Sequence, residues 1–228
     1  MKPGDTLVVE ARELDALLGA LRERGHTLLG PTVRDGAIVL DEIGAAKDLP
    51  VGFSDEQDGG RYRLRRREDG ALFGYAVGAH AWKRYLHPPA VVRWRARRAK
   101  SGFVAEPETA PPPRYALVGV RPCELAAILV QDRVFLGGPF VDPAYRSRRE
   151  SAFVLAVDCG SPAGTCFCVS MGTGPKAGPG YDLALTEVVG GGRHVLVAEV
   201  GTERGAEVAG AVVAGATRRP PARTSHSR

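Results

Sequence analysis

The sequence predicts an α/β chain of the α+β kind, in which a small N-terminal antiparallel sheet with a helix precedes a mixed sheet containing a βαβ unit. Three observations predict it. Two apolar runs, Tyr115–Val120 and residues 152–157, have the length of buried strands and are separated by helix-patterned sequence. Asp35-Gly36 and Asp69-Gly70 each stand between strand-like segments, as tight hairpins require. Leu14, Leu17, Leu18 and Leu21 repeat at i, i+3, i+4 and i+7, which lines one face of a helix.

Taken in order, that leucine helix is expected to stop at Gly25. Residues 27–33 and 37–40 form a hairpin around Asp35-Gly36, and residues 61–66 and 71–77 a second one around Asp69-Gly70. A short helix over 82–86 must end at Pro88-Pro89, because proline lacks the N–H that the helix needs. Residues 106–113 hold four prolines and read as a linker or ordered loop. Strand Tyr115–Val120 then leads into a helix opened by Pro122 and carrying Leu125, Ile128, Leu129 and Val134. A short helix over 142–150 precedes the second apolar strand. Residues 182–188 and 194–200 pair across Gly190-Gly191-Gly192, and 203–213 form a last helix. The division expected is 1–105 as an N-terminal α+β part and 106–217 as an α/β part packed with it as one unit. Residues 218–228 are expected to be a disordered basic tail.

All four cysteines fall between 123 and 168, with the spacing C-x35-C-x6-C-x-C. Strand, helical crossover and strand make a βαβ unit with parallel strands. Cys123 and Cys159 would then follow the carboxyl ends of two strands on one sheet edge, where open α/β sheets bind their ligands. If residues 165–169 are extended, Cys166 and Cys168 point to one side and Phe167 to the other. Four thiolates complete one iron–sulfur cluster or one structural zinc site. The same spacing also suits inert buried thiols or disulfides, and it does not choose among these. Disulfides fit least, since Met1 to Asp5 runs straight into amphipathic sequence without a secretory leader. Gly160, Gly164, Gly172 and Gly174 would let main-chain N–H groups approach a negative cluster.

Several motifs together resemble one redox family. They are Gly119-Val120-Arg121-Pro122-Cys123-Glu124-Leu125, Asp158-Cys159, Gly164-Thr165-Cys166-Phe167-Cys168 and Ser170-Met171-Gly172-Thr173-Gly174-Pro175. Asp48-Leu49-Pro50, Asp55-Glu56-Gln57, Gly60 to Leu64, Trp82 to Leu86 and Tyr181 to Glu187 extend the likeness along most of the chain. The chain is similar to the iron–sulfur beta subunits of cytoplasmic sulfhydrogenases, which are related to the iron–sulfur component of anaerobic sulfite reductase and described as 4Fe-4S dicluster domain proteins. The resemblance implies a cytoplasmic electron-transfer subunit, not itself catalytic, in an oxidoreductase complex. It implies an iron–sulfur cluster, of the 4Fe-4S type, held by Cys123, Cys159, Cys166 and Cys168, with Arg121, Phe167, Gly172 and Gly174 beside it. Phe167 would help to keep water away. Implied partners are a ferredoxin-like chain, the catalytic subunit of a hydrogenase or reductase, and one that binds flavin or nicotinamide. Family members continue into a ferredoxin-like segment with two C-x2-C-x2-C-x3-C-P runs. This sequence contains neither run, so we expect a fragment or a chain interrupted before them. The alternative is an interaction or assembly module, or a truncated relic, holding zinc or no metal.

Composition sets outer bounds. Among 228 residues, 44% are apolar, enough for a proper core, and no stretch approaches the ~20 apolar residues that span a bilayer. Net charge is +5, concentrated at Arg93, Arg95, Arg97, Arg98 and Lys100 around Trp94. The alternation there reads as an edge strand with a solvated face, or a docking surface for an acidic redox partner; nucleic acid is not expected, for no binding motif accompanies the charge. Glycines 172–180 lack the strand-to-helix setting of a nucleotide loop. The five histidines form no metal-binding pair at helical spacing, and Asp158 reads as a group tuning Cys159, as an acceptor from the loop, or as a turn residue.

Overall fold

The structure, a computed structural model, describes residues 1–78, 80–100, 102–107 and 111–217. The tail expected over 218–228 lies outside the described residues. In chain order the elements are β1 (Thr6–Glu10), α1 (Leu14–Glu23), β2 (Thr27–Arg34), β3 (Ala37–Glu42), β4 (Phe53–Asp58), β5 (Arg61–Arg66), α2 (Lys83–Leu86), β6 (Trp94–Ala99), β7 (Gly102–Pro107), β8 (Tyr115–Val120), α3 (Pro122–Leu136), α4 (Pro143–Ser151), β9 (Phe153–Val157), β10 (Leu183–Gly190), β11 (Arg193–Val200) and α5 (Glu203–Thr217).

A seven-stranded mixed sheet, ordered β1-β11-β10-β9-β8-β2-β3, bears out the α+β class. Its centre, β2, β8, β9 and β10, is parallel; β3, β11 and β1 complete it with antiparallel pairings. Central parallel strands are covered on both faces and therefore read as unbroken apolar runs, and every residue of β9 is buried. Alternation sends Phe153, Leu155 and Val157 into one core with α1 and α5, and Val154 and Ala156 into another with α3 and α4. The predicted βαβ unit is β8, α3, α4 and β9, with Asp142 capping α4 through the N–H groups of Ala144 and Tyr145 at 2.8 and 3.0 Å. On α3, Leu125 and Ile128 are buried as expected, whereas Leu129 and Val134 face outward.

Differences from the sequence reading have local causes. The N-terminal hairpin β2-β3 does not form a sheet of its own; β2 docks beside β8 and extends the main sheet. Strand β1, unmarked in the sequence reading, closes the opposite edge. The partner of β5 is β4, joined by Gly59-Gly60, and not residues 71–77. Those residues are instead held by side chains. Glu187 accepts from the N–H groups of Leu72 and Phe73 at 2.6 and 2.9 Å, and Asp55 from that of Ala76 at 2.7 Å. Every buried backbone group needs a partner, and carboxylates here replace a neighbouring strand. Strand β7 runs into the expected linker as far as Pro107; residues 108–110 lie outside the described residues, and 111–113 are irregular.

Asp182, 2% exposed, ties three elements together. Its carboxylate accepts from the Val154 N–H at 2.8 Å and the Thr202 hydroxyl at 2.6 Å, and pairs with Arg204 at 3.1 Å. Asp182→Ala would strand these donors and lower stability by about 2–4 kcal/mol. Urea unfolding should show this as a lower midpoint at unchanged slope.

Candidate metal centre

Strands β8 and β9 end on the same sheet edge. Gly119 (φ 86°) sits where the register of β8 with β9 shifts, and a Cβ there would lie 3.3 Å from Phe73 and Pro31. Glycine is therefore needed both for the backbone conformation and for the close approach. Beyond this bulge Arg121 turns inward, and Pro122, at the first position of α3, starts the helix that carries Cys123. Cys159 follows the end of β9 by two residues, on the same edge, as the βαβ pattern predicts.

Arg121 is 1% exposed. Its guanidinium donates to the carbonyls of Phe73 at 2.6 Å, Tyr75 at 2.7 Å and Asp158 at 3.0 Å, and lies 4.8 Å from the centre of the Tyr75 ring. One planar cation thus joins the start of α3, the 71–76 segment and the end of β9. The resemblance set Arg121 beside a cofactor; its bonds make it the fastening of the two thiol-bearing segments. Glu124 accepts from the Arg121 main-chain N–H at 2.9 Å and completes the helix start. Burial pushes its carboxyl up to about 6 against the pull of that N–H.

Asp158 resolves as a fastening too. Its carboxylate accepts from the Ala177 N–H and the Thr186 hydroxyl, both at 2.8 Å, while the Cys159 N–H donates to the Pro175 carbonyl at 2.9 Å. The loop from 159 to 177 is so closed at its root. Residues 165–169 are not extended, which corrects the alternation expected for Cys166 and Cys168. Consecutive turns form instead: the Cys166 N–H donates to the Ala163 carbonyl at 3.1 Å, and the N–H groups of Met171 and Thr173 both reach the Cys168 carbonyl. Flanking Gly160, Gly164, Gly172 and Gly174, with no ladder partner, favour turns over a strand. Cys166 Sγ accepts from the Ala163 N–H at 3.3 Å.

Three thiols share one cleft. Cys123, Cys166 and Cys168 line a volume of about 370 Å³ together with Gln57, Val77 and Phe167. Cys159 lines a different cleft, of about 270 Å³, with Arg67, Ser161 and Glu187. Burial pushes the Cys123 thiol up to about 11, with Glu124 and the neighbouring Cys168 and Cys159 adding to the effect. Gly174 lies against Cys168, where an added Cβ would come 3.0 Å from Sγ. Gly172 (φ 64°) turns the chain and has open space around it. Phe167 stands 70% exposed on the rim and does not roof the thiols.

Four thiols are the number and type of donor that a thiolate-bound metal or cluster takes, and the Ala163 N–H donates to the Cys166 sulfur. Among the described residues, however, no three Cys, His, Asp or Glu side chains are gathered closely enough to hold one metal ion. Val77, Arg67 and Ser161 were missed as site residues. Gln57 was noticed only within a motif: it donates to the Val77 carbonyl at 2.8 Å, and a Cβ at Gly164 would lie 3.1 Å from its own carbonyl. Arg67 reaches the Gly74 carbonyl at 3.0 Å and the Ser161 hydroxyl at 3.3 Å. Their contacts join segments far apart in sequence, so no local spacing signals them.

No protein-family model matches the chain, and no solved structure matches it. Over 94 residues, 41% of this chain, it is 36% identical to the Sulfhydrogenase 2 subunit beta of Pyrococcus furiosus. The match spans 26% of that protein, so the chain aligns with about a quarter of the relative's length. This is a shorter stretch than the motifs led us to expect, and it relates part of the chain to a hydrogenase subunit. No helix among the described residues is long and apolar enough to cross a membrane.

Arg121→Met would leave three buried carbonyls without their donor and cost about 3–5 kcal/mol. Arg121→Lys, a point donor without the planar fork, should recover only part of this. Limited proteolysis should then cut between 159 and 177 sooner than in the parent protein.

Proposed function

We propose that the chain is an iron–sulfur electron-transfer subunit, or a piece of one, of a hydrogenase- or reductase-type redox complex, with Cys123, Cys159, Cys166 and Cys168 as its ligands. The observation that supports it most is the meeting of Cys123, Cys166 and Cys168, from two separate segments, in one cleft at the carboxyl edge of a parallel sheet. The partial likeness to a sulfhydrogenase beta subunit points the same way. A bound 4Fe-4S cluster would supply one-electron transfer.

The chain's own contribution is positional. Cys123 is carried on the first turn of α3 and cannot move without that helix. Cys159, Cys166 and Cys168 belong to a loop of turns fastened by Asp158, and such a loop can close on a ligand while its root stays in place. Ligand binding and local ordering are then one event, as in other thiolate sites. The Ala163 N–H donates to the Cys166 sulfur at 3.3 Å, and Phe167 and Met171 lend the mouth an apolar rim. A reducing cytoplasmic setting suits an exposed thiol such as Cys166. Partners in this reading are a ferredoxin-like chain, the catalytic subunit of the complex, and one that binds flavin or nicotinamide.

Anaerobic purification should yield a brown protein with about four iron and four acid-labile sulfide per chain and an EPR signal on reduction. Ser at 123, 159, 166 or 168 in place of Cys should lower the iron content. A colourless protein carrying zinc, or thiols free of metal, overturns the reading.

The contact of Gly174 with Cys168 supplies a separate check. Gly174→Val would push the sulfur aside and reduce bound iron several-fold, while Gly178→Val, with open space around it, should leave the iron content unchanged.

A further inference from the structure

The basic segment around Trp94 does not join the main sheet. Strands β6 and β7 pair only with each other, in the register Trp94↔Pro107, Ala96↔Ala105 and Arg98↔Phe103 on one face, and Arg95↔Glu106 and Arg97↔Val104 on the other. All residues from 94 to 98 and from 102 to 107 are exposed. An isolated two-stranded ribbon is marginal in water, and this one carries Trp94 at 63% exposure and Phe103 at 76% on the same face. Between 93 and 108 the sequence has the cations Arg93, Arg95, Arg97, Arg98 and Lys100 against the carboxylates Glu106 and Glu108, and Glu106 pairs with Arg97 at 2.7 Å.

We propose that the face bearing Trp94, Arg98 and Phe103 docks a small acidic electron-carrier protein. The identity of that partner as a carrier rests on the function proposed above. Its acidity is argued from the ribbon itself, whose surplus of cations calls for a surface of opposite sign. This face sets Trp94, Ala96, Ala105 and Phe103 together with Arg98 beside Phe103, an apolar patch with a cation at its side. Tryptophan and arginine are also the residues that most often dominate such contacts. No nucleic-acid-binding motif accompanies the charge, which favours a protein partner. Phe103 and Trp94 have no other cover among the described residues, so the partner would supply it.

The test uses the full chain and, as probe, an acidic plant-type ferredoxin, with binding followed by calorimetry at low ionic strength. Trp94→Ala and Arg98→Glu should each weaken binding about tenfold or more. Arg61→Glu, the same charge change on β5, should weaken it less than about threefold. Added salt should weaken binding to the unsubstituted chain, which keeps the test meaningful if a ribbon variant fails to fold. The proposal is overturned by absence of binding, by an equal loss in Arg61→Glu, by indifference to Trp94→Ala, or by tighter binding of a short DNA duplex to the same face. Binding does not require iron. A metal-free chain that binds the probe supports this surface while refuting the cluster, and an iron-loaded chain that ignores the probe does the reverse.

Discussion

Everything at the thiol-bearing edge depends on the buried Arg121 guanidinium. It satisfies carbonyls from Phe73, Tyr75 and Asp158, three points that share neither a strand nor a helix. A cation taken out of water is tolerated when its donors meet acceptors, and here three carbonyls and an aromatic face at 4.8 Å engage the two terminal nitrogens while Nε is buried without a partner. The same bonds explain why 71–76 stays irregular although it is fully buried. The carbonyls of Phe73, Gly74 and Tyr75 are met by arginines and the N–H groups of Leu72, Phe73 and Ala76 by Glu187 and Asp55, so side chains take the place of a neighbouring strand at these residues.

Around that fastening the molecule divides its rigidity unequally. The parallel centre of the sheet is apolar on both faces and offers no freedom to the residues that end it, so the points where β8 and β9 stop are well defined. From those points hangs a loop whose turns are held mostly by bonds within itself. Cys123 belongs to the first regime, and Cys166 and Cys168 to the second. A thiol site that joins the two has one arm set by the core and others free to adjust, which suits a ligand that completes its own pocket.

Much of this was legible in the sequence. The unbroken apolar runs identified β8 and β9, and Pro122 just after one of them marked the start of α3. The parallel βαβ arrangement then brought Cys123 and Cys159 to one edge despite the residues between them. Asp-Gly at 35–36 chose its hairpin correctly because both positions adopt positive φ, at 49° and 75°. Asp69-Gly70 misled, since a turn signal states where the chain bends and not which segment it bends toward. Gly59-Gly60 was the competing signal, and it prevailed for β5. Within the site, alternation was the wrong period for 165–169, which has no partner strand and folds into turns.

By itself the sequence determined most of the strands and helices of the main sheet, the sheet edge where Cys123 and Cys159 emerge, and the donor chemistry present there. These follow from periodicity, from proline and glycine backbone limits and from side-chain type, all of which act over a few residues. Only the tertiary structure decided that β2 and β8 are neighbours, that residues 71–76 are held by carboxylates, that Arg121 is a fastening, and that the basic ribbon stands free of the sheet. Those outcomes depend on which buried donors and acceptors meet across long stretches of chain, and that pairing is a property of the whole packed fold.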